Sequence, residues 1–190
     1  CFRDELAGPA GGRARQQLKD RDVSQATVEA LGLGFAPVGR DVLKKRLLAQ
    51  GFTQSVLVQC GLLVQRDSGE IVDRFRNRLM VPIASASGRV IGFGGRTLGD
   101  DEAKYINSPE SPVYQKGHLL FGLQKGRDAM RASDEAILVE GYFDHLRVFA
   151  AGFQKVLGVS IVPPYVTYIT YQEYMIPGLI AMVLLFNGMQ

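Results

Sequence analysis

Two groups of side chains in this sequence have the types and spacing to do chemistry. The first is a string of cations set among glycines and turns: Arg74, Arg76, Arg78, Arg89, Arg96, Lys104, Lys116, Lys125 and Arg127. Gly94-Gly95-Arg96 lets backbone approach a ligand closely and then delivers a planar guanidinium suited to bidentate phosphate recognition. Lys104 precedes Tyr105, which pairs a phosphate contact with a ring able to stack on a base. Lys116-Gly117-His118 repeats the cation–glycine theme. Taken singly, each cation reads as solvated surface. Taken together they outline a basic groove for single-stranded nucleic acid or nucleotides. The glycines form neither a G-x-G-x-x-G fingerprint nor a Walker loop, so neither dinucleotide nor P-loop binding follows.

The second group centres on Glu140. Ala136 to Val139 is an apolar run that reads as a short buried strand, and Glu140-Gly141 stands where that strand must end. Tyr142 to Ala151 then sets Phe143, Leu146, Val148, Phe149 and Ala150 at roughly helical spacing. In open α/β sheets ligands bind outside the carboxyl ends of the strands. A glutamate there can hold a divalent cation or accept a proton. A lone Glu-Gly pair is ordinarily just an exposed turn acid. His118 and His145 have no metal-ligand partner at workable spacing, which favours structural or surface roles. No Ser/His/Asp arrangement emerges from spacing alone.

These side chains must be positioned by elements of three textures. Residues 1–65 read as helical. Ser24 caps a helix carrying Ala26, Val28 and Leu31 that stops at Gly32 and Gly34. Asp41 caps a second, with Val42, Leu43, Leu47 and Leu48 on its apolar stripe. A third runs from Thr53 to Gly61. Residues 66–133 are β-rich: Met80-Val81-Pro82-Ile83 and Arg89-Val90-Ile91-Gly92-Phe93-Gly94 flank a small-residue turn, the pattern of a hairpin. Gly99 to Ala103 is a polar loop, Asn107 to Glu110 a turn, and Gln124 to Met130 a helix. Val156 to Val159 begins a further parallel strand. Residues 161–190 then hold Glu173 as their only charge, with Pro163, Pro164 and an apolar run from Met175 to Met189. That run is shorter than the ~20 residues that span a bilayer, and it reads either as a buried core helix or as a cut-off membrane segment.

Composition narrows the class. At 190 residues the chain suits one or two domains, and a net charge of +3 permits a polyanionic partner without demanding one. Cys1 and Cys60 match no zinc or redox spacing, the pattern of a reduced, intracellular protein. The charged N-terminus lacks the apolar core of a signal peptide, and the absence of an initiator Met suggests a fragment.

Five blocks occur in a diagnostic order: Arg74-Phe-Arg-Asn-Arg-Leu-Met-Val-Pro-Ile83, Gly88-Arg-Val-Ile-Gly-Phe-Gly-Gly-Arg96, Lys104-Tyr-Ile-Asn-Ser-Pro-Glu110, Gln115-Lys-Gly117 and Val139-Glu-Gly-Tyr-Phe-Asp144. Together they closely resemble the RNA-polymerase core of bacterial DnaG-type DNA primases, over residues 1–160. The resemblance implies an α+β N-terminal primase-core subdomain over residues 1–133, then a truncated α/β toprim subdomain over 134–160. It implies template-directed synthesis of short RNA primers on single-stranded DNA from ribonucleoside triphosphates, with Mg²⁺ or Mn²⁺. Arg96, Lys104 and Lys116 match the family's basic residues facing nucleotide and template. Arg21 matches another with weaker alignment, and Tyr105 and Asn107 lie in a family motif. Glu140 matches the toprim glutamate that assists catalysis near the metals. The family also implies bacterial cytoplasmic replication and a replicative helicase partner, contacted through a C-terminal domain that this sequence does not contain.

Departures from the family are equally specific. No zinc-ribbon cysteine–histidine cluster is present, so no zinc site is expected. Residues 161–190 contain no aspartate, whereas the toprim subdomain needs a later Asp-x-Asp to hold its metals. Tyr174 to Gln190 instead resembles a segment of an ABC-2-type transporter permease, which points to a junction near Ser160 and a foreign apolar tail, helical and projecting or poorly packed. Three function classes therefore stand: a primase core inactive in this form, a single-stranded nucleic-acid-binding remnant without catalysis, and a different toprim protein. A membrane-transport role rests on the tail alone.

Overall fold

Local capping signals account for two of the five α-helices at the N-terminus. A computed structural model describes residues 1–101, 103–116 and 119–159, and the backbone of Ile180–Val183. Five short α-helices fall within the first 59 residues: α1 (Phe2–Ala7), α2 (Gly12–Lys19), α3 (Gln25–Leu31), α4 (Val42–Ala49) and α5 (Gln54–Gln59). Ser24 caps α3 as its residue type predicts, its Oγ accepting from the Thr27 amide at 3.2 Å, and Gly32 ends the helix in the left-handed region. Thr53 caps α5 in the same way, more loosely at 3.4 Å.

The cap expected for α4 is not the one observed. Asp41 sits at φ −147° and ψ 22° and makes no side-chain cap bond; it pairs with Lys45 instead. Asp73, thirty residues beyond Leu43, supplies the cap. Its Oδ2 accepts from the Leu43 amide at 2.7 Å and its Oδ1 from the Lys44 amide at 2.9 Å. Burial pushes the Asp73 carboxyl above its ordinary pKa, and those two amides pull it back.

The N-terminal region is also less purely helical than its sequence suggests. Gly34–Ala36 forms β1, buried throughout and paired antiparallel with β4 (Arg78–Ala84), Phe35 opposite Leu79. Three residues are too few to display a two-residue period. β2 (Leu63–Gln65) and β3 (Ile71–Asp73) make a separate antiparallel pair. The expected hairpin forms: β4 and β5 (Val90–Thr97) are neighbours in a four-stranded sheet of order β1-β4-β5-β6, with β6 spanning Tyr105–Asn107. One core cluster joins Ala36, Phe75 and Met80 to Phe2, Phe93 and Ile106; another joins Leu43, Leu47, Leu57 and Leu63. Each large apolar side chain so buried contributes about 1.5–3 kcal/mol.

The chain divides into two compact units, Cys1–Ile83 with Val90–Gln115, and Ala84–Arg89 with Lys116–Gln190. In the second unit α6 (Leu123–Ser133) leads into β7 (Glu135–Val139), α7 (Tyr142–Ala150) and β8 (Val156–Gly158). β8 pairs parallel with β7, Val139 opposite Gly158, as the strand–helix–strand reading requires. Met130, Ala136 and Leu157 form its core with Leu120, Leu123 and Leu138.

Ile180–Val183 forms β9, parallel to β7 on its other side, with Glu135 opposite Ile180 and Leu138 opposite Val183. The tail is expected to be poorly packed, or helical and projecting; for these four residues the helical form is corrected, since they pair as a strand. Periodicity alone does not separate a short uncharged apolar run of this kind from a helix. The proposed junction near Ser160, the rest of the transporter-like tail, and Gly117 and His118 lie outside the described residues. Among the described residues no helix is long and apolar enough to cross a membrane.

Candidate nucleic-acid interface

The β5–β6 ladder brings three of the expected residues together. Its register sets Arg96 opposite Tyr105 and Gly94 opposite Asn107. Arg96 donates from Nη1 to the Tyr105 hydroxyl, and its guanidinium carbon lies 5.2 Å from the centre of the Tyr105 ring. Such a cation on an aromatic ring is worth about 0.5–2 kcal/mol, more as water is excluded. Arg96 is 9% exposed while Tyr105 is 39% exposed. The ring is thus the outward-facing partner, and the guanidinium stands behind it.

Lys104 precedes this ladder and is exposed. Its carbonyl accepts from the Thr97 amide at 3.0 Å, which extends the β5–β6 pairing by one step. Asn107 is half-buried, and its carbonyl accepts from Arg74 Nε at 3.4 Å. Burial lowers the pKa of the Arg74 guanidinium. Arg21 sits in the turn between α2 and α3, its amide bonded to the Leu18 carbonyl.

On β4, the strand beside this ladder, lies a residue that the sequence left among the surface cations. Arg78 on β4 is buried and reaches the carbonyls of Gly95 and Ala103 and the carboxylate of Asp101. Gly95 makes room for it: a Cβ there would lie 3.1 Å from Arg78 Cδ and 2.8 Å from Phe75 Cδ1. Ser108, also buried, accepts from the Phe93 amide at 3.0 Å and fixes the far end of β6. Tyr114 packs against Gly92, and burial pushes its phenol up to about 12. β4 is buried at four successive residues from Arg78 and shows no alternation that would have marked Arg78 as inward-facing, and nothing in the sequence marks Asp101 as its partner.

The other two expected residues belong to the second unit. Lys116 is half-buried at its start. Glu140 is exposed directly after β7, and Gly141 serves as the N-cap of α7. Asp144 folds back over this turn, its Oδ2 2.9 Å from where a Cβ on Gly141 would stand. Among the described residues no three His, Cys, Asp or Glu side chains converge on a point that a metal ion could occupy. Mg²⁺ is commonly held through one or two carboxylates with water filling its other positions, so Glu140 would supply one ligand, and no cluster of three such side chains stands with it among the described residues.

His145, on the inner face of α7, takes the structural role expected of it. It is fully buried against Phe121 and Phe149, and its Nε2 donates to the Val156 carbonyl at 3.1 Å. Nδ1 has no hydrogen-bond partner among the described residues. Protonating it would bury an unpaired N–H and a charge, and burial accordingly holds the His145 pKa down to about 4. Gly122, at φ +88°, makes the close approach possible, since a Cβ there would lie 2.1 Å from Nε2.

Comparison with known proteins gives this geometry a setting. The family model described as "DNA primase catalytic core, N-terminal domain" matches residues 1–127. A DNA primase of Pseudomonas putida is 46% identical over 148 residues, covering 77% of this chain and 22% of the relative. The RNA polymerase domain of Mycobacterium tuberculosis primase DnaG, solved with a double-stranded DNA oligomer carrying a 6-nucleotide overhang, superposes with a TM-score of 0.78 at 36% identity. The match covers 85% of this chain and 51% of that one. A DnaG primase catalytic domain bound to single-stranded DNA gives a TM-score of 0.76 at 38% identity, over 83% and 51% of the two chains. The chain spans about a quarter of the length of the curated relatives it matches, 22% in one and 26% in another.

Proposed function

Because this chain belongs to the DNA primase catalytic-core family through its N-terminal domain, we propose that it engages single-stranded DNA across the β5–β6 face and, in this 190-residue form, makes no primers. The observation that carries the reading is the pairing of an exposed Lys104 with an outward Tyr105 ring that Arg96 backs from the protein side. Lysine meets a phosphate as a point charge, and the ring offers a sequence-tolerant stacking platform for a base. Solved relatives that hold DNA support this choice of partner.

Arg21, Arg96, Asn107 and Lys116 extend the same reading, as further contacts to template or ribonucleoside triphosphate. The strand–acid–helix segment around Glu140 is read as the start of a toprim subdomain, with the preceding residues as the primase core. In the full-length family context this chain would serve replication in the bacterial cytoplasm beside a helicase. Nucleotidyl transfer in that setting calls on divalent metals to stabilise the attacking and leaving oxygens. Glu140 alone does not assemble such a site, and no aspartate follows it in residues 161–190. No catalytic step is therefore assigned to this chain.

The test pairs two assays on the purified chain. Fluorescence anisotropy should show binding to a labelled single-stranded oligodeoxynucleotide. A primer-synthesis reaction with Mg²⁺, template and four ribonucleotides should give no product. Robust primer synthesis, or failure to bind the oligonucleotide at low salt, contradicts the proposal.

A further inference from the structure

Arg78 has the chemistry of a surface cation and the setting of a core residue. It stands on β4 opposite Ala36, with 6% of its surface exposed. Its Nη1 donates to the carbonyl oxygens of Ala103 at 3.0 Å, Gly95 at 3.3 Å and Lys104 at 3.5 Å. Nη2 donates to Asp101 Oδ2 at 3.2 Å, and the same oxygen accepts from Thr97 Oγ1 at 2.7 Å. Every one of these partners lies on β5 or on the connection that leads from β5 to β6. Two further bonds at the start of that connection run from the Leu98 amide to the Asn77 carbonyl and from the Gly99 amide to Thr97 Oγ1.

Burying a guanidinium costs several kcal/mol, and only pairing and a full set of hydrogen bonds offset that cost. A lysine here would bring one compact ammonium; the planar guanidinium forks to a carboxylate on one side and to carbonyls on the other. The side chain therefore does what an apolar residue at this position cannot. It ties a polar, glycine-containing connection to the neighbouring strand β4, one residue before the outward Lys104–Tyr105 pair.

We infer that Arg78 is a positioning residue for the nucleic-acid face: it clamps the β5–β6 connection so that Lys104 and Tyr105 emerge with a fixed backbone direction. The inference rests on the reading that Lys104 meets single-stranded DNA. It adds a residue that touches no ligand and acts through one that does. If the clamp is released, Lys104 keeps its charge but loses its address, and its contribution to binding falls.

A double-mutant cycle on the full chain tests this, with Arg78→Lys, Asp101→Asn and Lys104→Ala alone and combined. The readouts are anisotropy with a labelled oligodeoxythymidine and amide hydrogen exchange from Thr97 to Tyr105. In the unaltered chain Lys104→Ala should weaken binding about tenfold, the size of one charge-assisted contact. In the Arg78→Lys or Asp101→Asn background the same change should cost only about twofold, with faster exchange confined to the connection. Asp101 is half exposed, so Asp101→Asn carries the test even where Arg78→Lys fails to fold. An undiminished Lys104→Ala loss in both backgrounds, with exchange unchanged, overturns the clamp. No Lys104→Ala effect in the unaltered chain overturns the DNA reading instead, and exchange across the connection in Asp101→Asn then decides the clamp: faster exchange upholds it, unchanged exchange overturns it.

Discussion

The β5–β6 face and the β7–α7 turn both present charged residues where sequence chemistry asks for them, yet they differ in what stands behind those residues. On the β5–β6 face, exposed Lys104 and Tyr105 are backed by buried Arg78 and Arg96, a carboxylate and a ladder of fixed register. At the β7–α7 turn, Glu140 projects from a well-packed strand–helix unit, but no set of ligands converges with it among the described residues. A binding surface needs only a few oriented cations and rings. A metal-dependent reaction needs carboxylates gathered on one point, with water completing the shell. Among the described residues the strand–helix scaffold at the turn is well packed, while the ligands of a metal are not gathered on it.

The sharpest way to break the second region is at its packing. Gly122→Ala introduces a Cβ 2.1 Å from His145 Nε2 on a residue at φ +88°. The clash and the backbone strain together should cost about 4 kcal/mol in urea unfolding. A loss under about 1 kcal/mol would mean that His145 is free to move aside, and that the scaffold is looser than the packing implies.

A second measurement sharpens the same contrast through pH. His145 has a folded pKa of about 4, depressed below 6.5 by burial. The folded state then binds fewer protons than the unfolded one between those values. The contribution to stability is fully present above pH 6.5 and is lost as pH falls toward 4, by roughly 3 kcal/mol in total. His145→Gln, which keeps a donor for the Val156 carbonyl, should remove this component from the difference between the two unfolding profiles. An unchanged profile would contradict the buried, neutral imidazole.

Asp73 gives the opposite sign in the first region. Its pKa is raised by burial, so its protonated form is favoured on folding. The stability it contributes is present below about 3.8 and is lost as pH rises through the elevated folded value. Against this, the carboxylate caps α4, so Asp73→Ala should destabilise by about 2 kcal/mol at neutral pH. Asp41→Ala, at the position that the sequence favours as the cap, should cost less than about 0.5 kcal/mol.

These contrasts also mark what could be seen in the residues themselves. Ser24, Gly32 and Thr53 punctuate helices by local chemistry, and the caps formed as their types require. The β4–β5 hairpin and the β7–α7–β8 unit followed from apolar runs separated by turn residues. Asp73 was illegible as a cap because its partners lie thirty residues away. β1 was too short to carry a period, and β9 is one short apolar run among several. For the candidate site, Lys104, Tyr105, Arg96 and Asn107 were legible from spacing and family blocks, and the ladder brings them to one stretch of sheet. Which cation would face outward and which inward was not, because that depends on strand register. Arg78 looked like its neighbours Arg74 and Arg76 until pairing with Ala36 turned it inward.

We propose that an ordered Lys104–Tyr105 face meets the backbone of single-stranded DNA. A salt titration of oligodeoxythymidine binding, comparing the unaltered chain with Lys104→Ala, tests it most directly. Phosphate contacts release counterions, so log affinity should fall linearly with log salt, by about 0.7 per contact on a single strand. Lys104→Ala should weaken binding about tenfold at low salt and flatten the slope by about one contact. Identical slopes and affinities for the two proteins would contradict the account.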